Sequence, residues 1–129
     1  MSRLRRAPMR PLRIIVATAD AERLRAALIV VSAHAALGGA AALFLQLDAV
    51  GLLRRPIVAP QDDAHRAAGL PNLAALLADA QALGVMISAC QSGLALCGMT
   101  AEALPPDVEV GGPVTFLQAT NDDARLLLA

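Results

Sequence analysis

Cysteine is the residue type in this chain best suited to nucleophilic work, and one of its two copies, Cys90, stands where the reactive form is favoured. The stretch LGVMISACQSGLALCGM, Leu83 to Met99, reads as a buried strand, Val85 to Ala89, that delivers Cys90 to its carboxyl end. Gln91-Ser92-Gly93 then open a helix with Leu94 and Cys97 on its inner face. Unpaired N–H groups in a first helical turn, together with the helix dipole, favour an anion at that position. A thiolate is the form that attacks sulfur, peroxide or a metal. The same position equally suits a small apolar residue closing a core strand, since free cysteine is among the most buried residue types. The residues alone leave both readings open.

Other chemistries are thinly supplied. All eleven basic residues are Arg, so neither Schiff-base chemistry nor a phosphate-binding lysine of the Walker type is available. Eleven acids balance them to a formal charge of zero, and there is no Trp or Tyr, which argues against nucleic acid as a partner. No CxxC pair and no His/Cys cluster at zinc spacing occurs, so no metal and no cofactor are expected. On one helix, Cys90 and Cys97 would lie roughly 10 Å apart, beyond the ~7 Å reach of a disulfide.

The elements that must position Cys90 follow from aliphatic runs. With 129 residues, 57% hydrophobic and only 2% aromatic, the chain has room for one domain whose core is Ala, Leu, Val and Ile. That composition suits an α/β fold, in which strands covered on both faces read as continuous aliphatic stretches. Met1 to Pro11, with Arg3, Arg5, Arg6 and Arg10, reads as a disordered basic tail, and residues 12–129 as the domain. The apolar run Ile14 to Ala17 is too short for the core of a signal peptide. Leu12 to Thr18 is a β-branched first strand. Asp20 caps a helix with Leu24, Ala27, Leu28, Val31 and Ala35 on one stripe, and Gly38-Gly39 ends it. Ala40 to Leu47 completes a strand–helix–strand unit.

Ala26 to Leu45 carries no formal charge over twenty residues, enough to span a bilayer, but Ser32, His34 and the glycine pair favour the helix-and-strand reading. Asp48 to Gly69 is the least regular part, with space for a short turn of helix. Asn72 or Pro71 starts a helix with Leu73, Leu76, Leu77, Ala80 and Leu83 buried. After Met99 a short turn capped by Thr100, a strand at Val108 to Val110, a helix over Gly112 to Ala119 and a strand at Ala124 to Leu128 complete the chain.

Ligands of open parallel α/β sheets bind beyond the carboxyl ends of the strands. If the three strong strands are neighbours, that rim gathers Thr18, Asp20, Gln46, Asp48, Cys90, Gln91 and Ser92. No base is evident, because His34 falls within a helix and His65 in the irregular stretch. Arg54 and Arg55 suit an anion or, more simply, solvent. The segment Thr18-Ala19-Asp20-Ala21 lacks the glycines of a dinucleotide site.

The run Gly69-Leu-Pro-Asn-Leu with its amphipathic helix, then LGVMISACQSGLALCGMTAEAL, then VEVGGPVTFLQA, resembles the DsrE/DsrF-like family of small sulfur-relay proteins, over most of the chain from about Leu12 to Ala129. The resemblance implies a single-domain, Rossmann-like three-layer sandwich, its mostly parallel sheet of about five strands carrying helices on both faces. It implies Cys90 as the residue that holds sulfur as a persulfide; the rim residues Thr18, Asp20, Gln46, Gln91 and Ser92, placed by the sheet geometry, are the candidate binding groups beside it. It further implies a cytoplasmic homo-oligomer, a trimer or hexamer, with sulfur donor and acceptor proteins as partners and no membrane. So apolar a small domain also leaves aliphatic surface for a neighbour to cover. Two rivals are a peroxide-sensitive thiol passing through a sulfenic acid and a non-catalytic oligomeric module that binds a small molecule at the rim. Cys97 stands where relatives often carry an ordinary apolar residue and reads as a core cysteine rather than a resolving thiol.

Overall fold

The computed structural model describes residues 9–129. Residues 1–8 of the expected basic tail lie outside that range. Arg10 and Pro11 are tied down: Arg10 Nε donates to the Asp123 carbonyl at 2.6 Å, and the Pro11 carbonyl accepts from Arg125 N–H at 2.7 Å.

Aliphatic runs become parallel strands. β1 is Leu12–Val16, β2 Ala41–Leu45, β3 Met86–Cys90, β4 Glu109–Gly111 and β5 Arg125–Leu128, in the sheet order β4-β3-β2-β1-β5. Every pairing is parallel, so the three strong strands are neighbours as expected. The helices are α1 at Ala21–Ala36, α2 at Asp62–Ala67, α3 at Leu73–Ala82, α4 at Gln91–Leu96 and α5 at Pro113–Gln118. Asp20 caps α1 by accepting from Glu22 N–H, and Asn72 caps α3 by accepting from Ala75 N–H. Gly38, at φ +93°, stops the chain of α1 before β2, a conformation that costs little only for glycine.

Side-chain alternation divides the core into two unequal layers. Leu12, Ile14, Val16, Leu43, Leu45, Ile87 and Ala89 share one face, beneath α1 and α3, and all are buried. Leu24, Leu28 and Val31 of α1 and Leu73, Leu77 and Ala80 of α3 close that layer. Each fully buried Leu, Ile or Val there contributes about 1.5–3 kcal/mol. The opposite face, with Arg13, Ala42, Phe44 and Ser88, carries the six residues of α5. Phe116 stacks on Phe44 at a centroid distance of 5.1 Å, and the Arg13 guanidinium lies 4.0 Å over the Phe116 ring. Val114 and Leu117 of the same helix stay exposed.

Several sequence expectations shift. β2 ends at Leu45 rather than Leu47, because Leu47 turns to φ +55° and begins a 3₁₀ helix, Leu47–Leu53. The stretch Asp48 to Gly69 is largely ordered by that helix and α2. Leu83 falls beyond the end of α3 and is exposed. The uncharged run Ala26 to Leu45 divides into α1 and β2, and among the described residues no helix is long and apolar enough to cross a membrane.

Candidate functional site

The β1–β2–β3 register aligns Val16, Leu45 and Ala89, so the residues that follow form one rim at the carboxyl ends of the strands. Gln46 continues the register, its N–H donating to the Val16 carbonyl at 2.9 Å. Cys90 closes β3 and is at the same time the N-cap of α4, with extended backbone (φ −69°, ψ 131°) and no side-chain capping bond. Gln91 and Ser92 are exposed in the first turn of α4, Thr18 and Asp20 are exposed beyond β1, and Gln46 is half-buried. The rim thus brings Cys90, Gln91, Ser92 and Gln46 onto adjacent strand ends, with Thr18 beside them. Asp20 is drawn away to α1, which its Oδ1 caps.

The thiol itself is buried. Cys90 is only 4% exposed and belongs to the aliphatic core. The helix that follows it, α4, seats tightly on the Leu47–Leu53 helix. A Cβ added at Gly93 would overlap Val50 Cγ2 and the Leu47 carbonyl oxygen, so only glycine lets the two backbones approach so closely. Cys97 ends α4, half-buried, with Sγ 3.9 Å from the Asp48 carbonyl; both cysteines are free. Arg54 and Arg55, instead of facing solvent freely, lock this region: Arg54 donates to the Cys97 carbonyl at 2.7 Å and Arg55 to the Glu102 carbonyl.

Beside the rim, a cleft of about 320 Å³ runs along β3 and β4 under α5, lined by Arg13, Phe44, Ser88, Glu109, Gly111 and Phe116 among others. Gly111 is the register partner of Cys90, so the cleft reaches the strand end that carries the thiol. Desolvation lowers the pKa of Arg13, whose Nε donates to Thr120 Oγ1 and whose Nη2 donates to the Phe116 carbonyl.

A charge cluster that sequence reasoning missed lies between α1, α2 and α3. Arg25, 3% exposed, donates to Asp62 Oδ1 at 2.9 Å and to Glu22 Oε2 at 3.0 Å. Asp62 also accepts from Ala59 N–H at 2.9 Å and Leu73 N–H at 3.0 Å, and His65 Nε2 pairs with Glu22 Oε1 at 2.7 Å. Burial pushes the Asp62 carboxyl up, but the bonds from Ala59, Arg25 and Leu73 outweigh it and hold the group below the usual carboxylate range. Bonds from His65 and Arg25 lower Glu22 likewise. The available signal was the position of Arg25, one turn before Leu28 and one after Glu22. His34 takes no part in any site; its ring packs over Gly39 with Nε2 unpartnered. Among the described residues no group of three or more His, Cys, Asp or Glu side chains is arranged to hold a metal.

Comparison with known proteins agrees with the fold. A model of the DsrE/DsrF-like family matches residues 13–128. The crystal structure of YchN protein from E. coli aligns at a TM-score of 0.69 and 22% identity, covering 93% of this chain and 98% of that one. MTH1491 from Methanobacterium thermoautotrophicum, a protein of unknown function, aligns at 0.66 and 15% identity, covering 92% and 98%. No curated protein matches the chain.

Proposed function

The chain belongs to the DsrE/DsrF-like family, and from that premise we propose that it is a cytoplasmic sulfur carrier working through Cys90. The observation that carries the reading is the place of Cys90, at once the last residue of β3 and the N-cap of α4, on a rim with Gln46, Gln91 and Ser92. The Cys90 thiolate attacks the outer sulfur of a donor persulfide, forming an Sγ–S bond while the donor thiol leaves with the electron pair. An acceptor thiolate then attacks the same outer sulfur, the Sγ–S bond breaks and the Cys90 thiolate returns, with no net oxidation. Gln91 and Ser92 orient the incoming group, as do Gln46 and Thr18. Partners are a donor protein, an acceptor protein and further copies of this chain.

Since Cys90 is buried, each transfer includes a local opening that exposes Sγ. Incubating the protein with a polysulfide, removing the excess and adding a thiol acceptor tests the reading. Wild type and Cys97→Ser should take up cyanolysable sulfur and release it to the acceptor, and Cys90→Ser should do neither. Equal uptake by Cys90→Ser sinks the proposal. The burial of Cys90 favours one other reading, a structural thiol in a module that binds a small molecule. Its mark is a Cys90 that neither takes up sulfur nor reacts with an alkylating agent in the folded protein.

A further inference from the structure

The two edges of the sheet are finished differently. β4 has three residues, includes Glu109, and runs through Gly112 into Pro113, which are the usual means of blunting an edge. β5, at the opposite edge, is Arg125-Leu126-Leu127-Leu128, without proline or acidic residue. Its leucines are 45%, 49% and 75% exposed.

The hydrogen bonds to β1 show which backbone groups of β5 are free. Arg125 N–H donates to the Pro11 carbonyl, Ala129 N–H to the Ile15 carbonyl, and the Ala129 carbonyl accepts from Ala17 N–H. Arg125 and Ala129 therefore face β1, and by strand alternation Leu126 and Leu128 direct their N–H and C=O groups outward to the open edge. Spaced two apart about Leu127, these groups are self-complementary.

We propose that β5 is the contact by which two copies of this chain associate, pairing antiparallel about a twofold axis at Leu127. Leu126 of each copy faces Leu128 of the second, and each such pair exchanges both backbone hydrogen bonds. Arg125 falls opposite Ala129, so no like charges are opposed, and the chain's zero formal charge sets up no long-range repulsion. Leu127 meets its symmetry mate at the closer, non-hydrogen-bonded position, with Cα atoms about 4.5 Å apart. It lies on the α1 side of the sheet, where it walls a groove of about 250 Å³ together with Ile14, Ala26, Ala27 and Val30, open to an alkyl side chain of the second copy. A second copy is the occupant that meets all three demands at once: strand backbone in this register, an alkyl side chain at the centre and no charge opposite Arg125. The contact stands whether or not Cys90 carries sulfur.

Sedimentation equilibrium of the full chain tests it, with Leu127→Lys, Leu127→Glu and Leu128→Pro beside wild type. Leu128→Pro removes an outward N–H and leaves the bonds to β1 intact, as an edge strand tolerates. Wild type should hold an even number of copies and each variant half that mass. An equimolar mixture of the Lys and Glu variants should regain the wild-type mass, since opposite charges then meet across the axis. A monomeric or odd-numbered wild type, variants of unchanged mass, or a mixture that stays at half mass overturns the proposal.

Discussion

Two chemically active groups, an ion pair and a thiol, are buried in this fold, and the protein treats them in opposite ways. The Arg25–Asp62 pair is surrounded by partners: Asp62 accepts from Arg25, Ala59 and Leu73, while Arg25 also reaches Glu22 and the Pro71 carbonyl. Cys90 is comparably buried, yet its side chain makes no capping bond. A charge that is fully met by fixed partners holds one geometry, and the cluster pins α2 and the start of α3 to α1. A thiol without such partners contributes little beyond packing, so its placement on the rim is free to serve chemistry. Stability and reactivity therefore fall in different places, which substitutions can separate.

The largest effect is expected at the ion pair. Arg25→Ala leaves Asp62 buried without its cation and should cost about 3–5 kcal/mol, read as a lower midpoint in urea. Folded molecules of that variant should still load sulfur on Cys90, and a variant that stays folded but cannot load would merge the two regions. Gly93→Ala forces a Cβ against Val50 and the Leu47 carbonyl, with an expected loss of about 1–3 kcal/mol. Because the strain lies where α4 meets the Leu47–Leu53 helix, the same variant should alkylate faster at Cys90, measured by mass after timed exposure to iodoacetamide.

Acid should act on the cluster. The Asp62 carboxyl is held below its unfolded value of about 3.9, so its stabilisation is complete above that pH. Between the two values the unfolded chain binds a proton that the folded chain does not, and stability falls as pH falls through that window. Glu22 titrates in the same direction. Urea midpoints taken downward from about pH 5 should drop less steeply in Asp62→Asn than in wild type; parallel curves would remove Asp62 from the account. The smallest effect is expected from Cys97→Ser, within about 0.5 kcal/mol of wild type, since Cys97 is half-buried and its thiol makes only a weak bond, to the Asp48 carbonyl, among the described residues.

What was legible in the sequence was what aliphatic periodicity encodes. β1, α1, α3 and β3 occur within a few residues of where the stripes and caps put them, because burial of Leu, Ile and Val dominates their energetics. Cys90 could be placed for the same reason, as the residue after a buried run and before Gln91-Ser92-Gly93. Residues 47–69 were opaque since polar and backbone contacts from distant segments order them: Asp62 is fixed by Arg25 and Leu73, Arg54 by the Cys97 carbonyl. Sequence spacing cannot announce such partners. The close approach of α4 to the Leu47–Leu53 helix at Gly93 was hidden as well, since it is a contact across more than forty residues.

The most direct test of Cys90 as the sulfur-bearing atom is the intact mass of the chain after incubation with a sulfane-sulfur donor, taken for wild type, Cys90→Ser and Cys97→Ser. A reducible gain of about 32 Da per added sulfur in wild type and Cys97→Ser, absent from Cys90→Ser, is the expected result. A gain that persists in Cys90→Ser, or no gain in any of the three, contradicts the account.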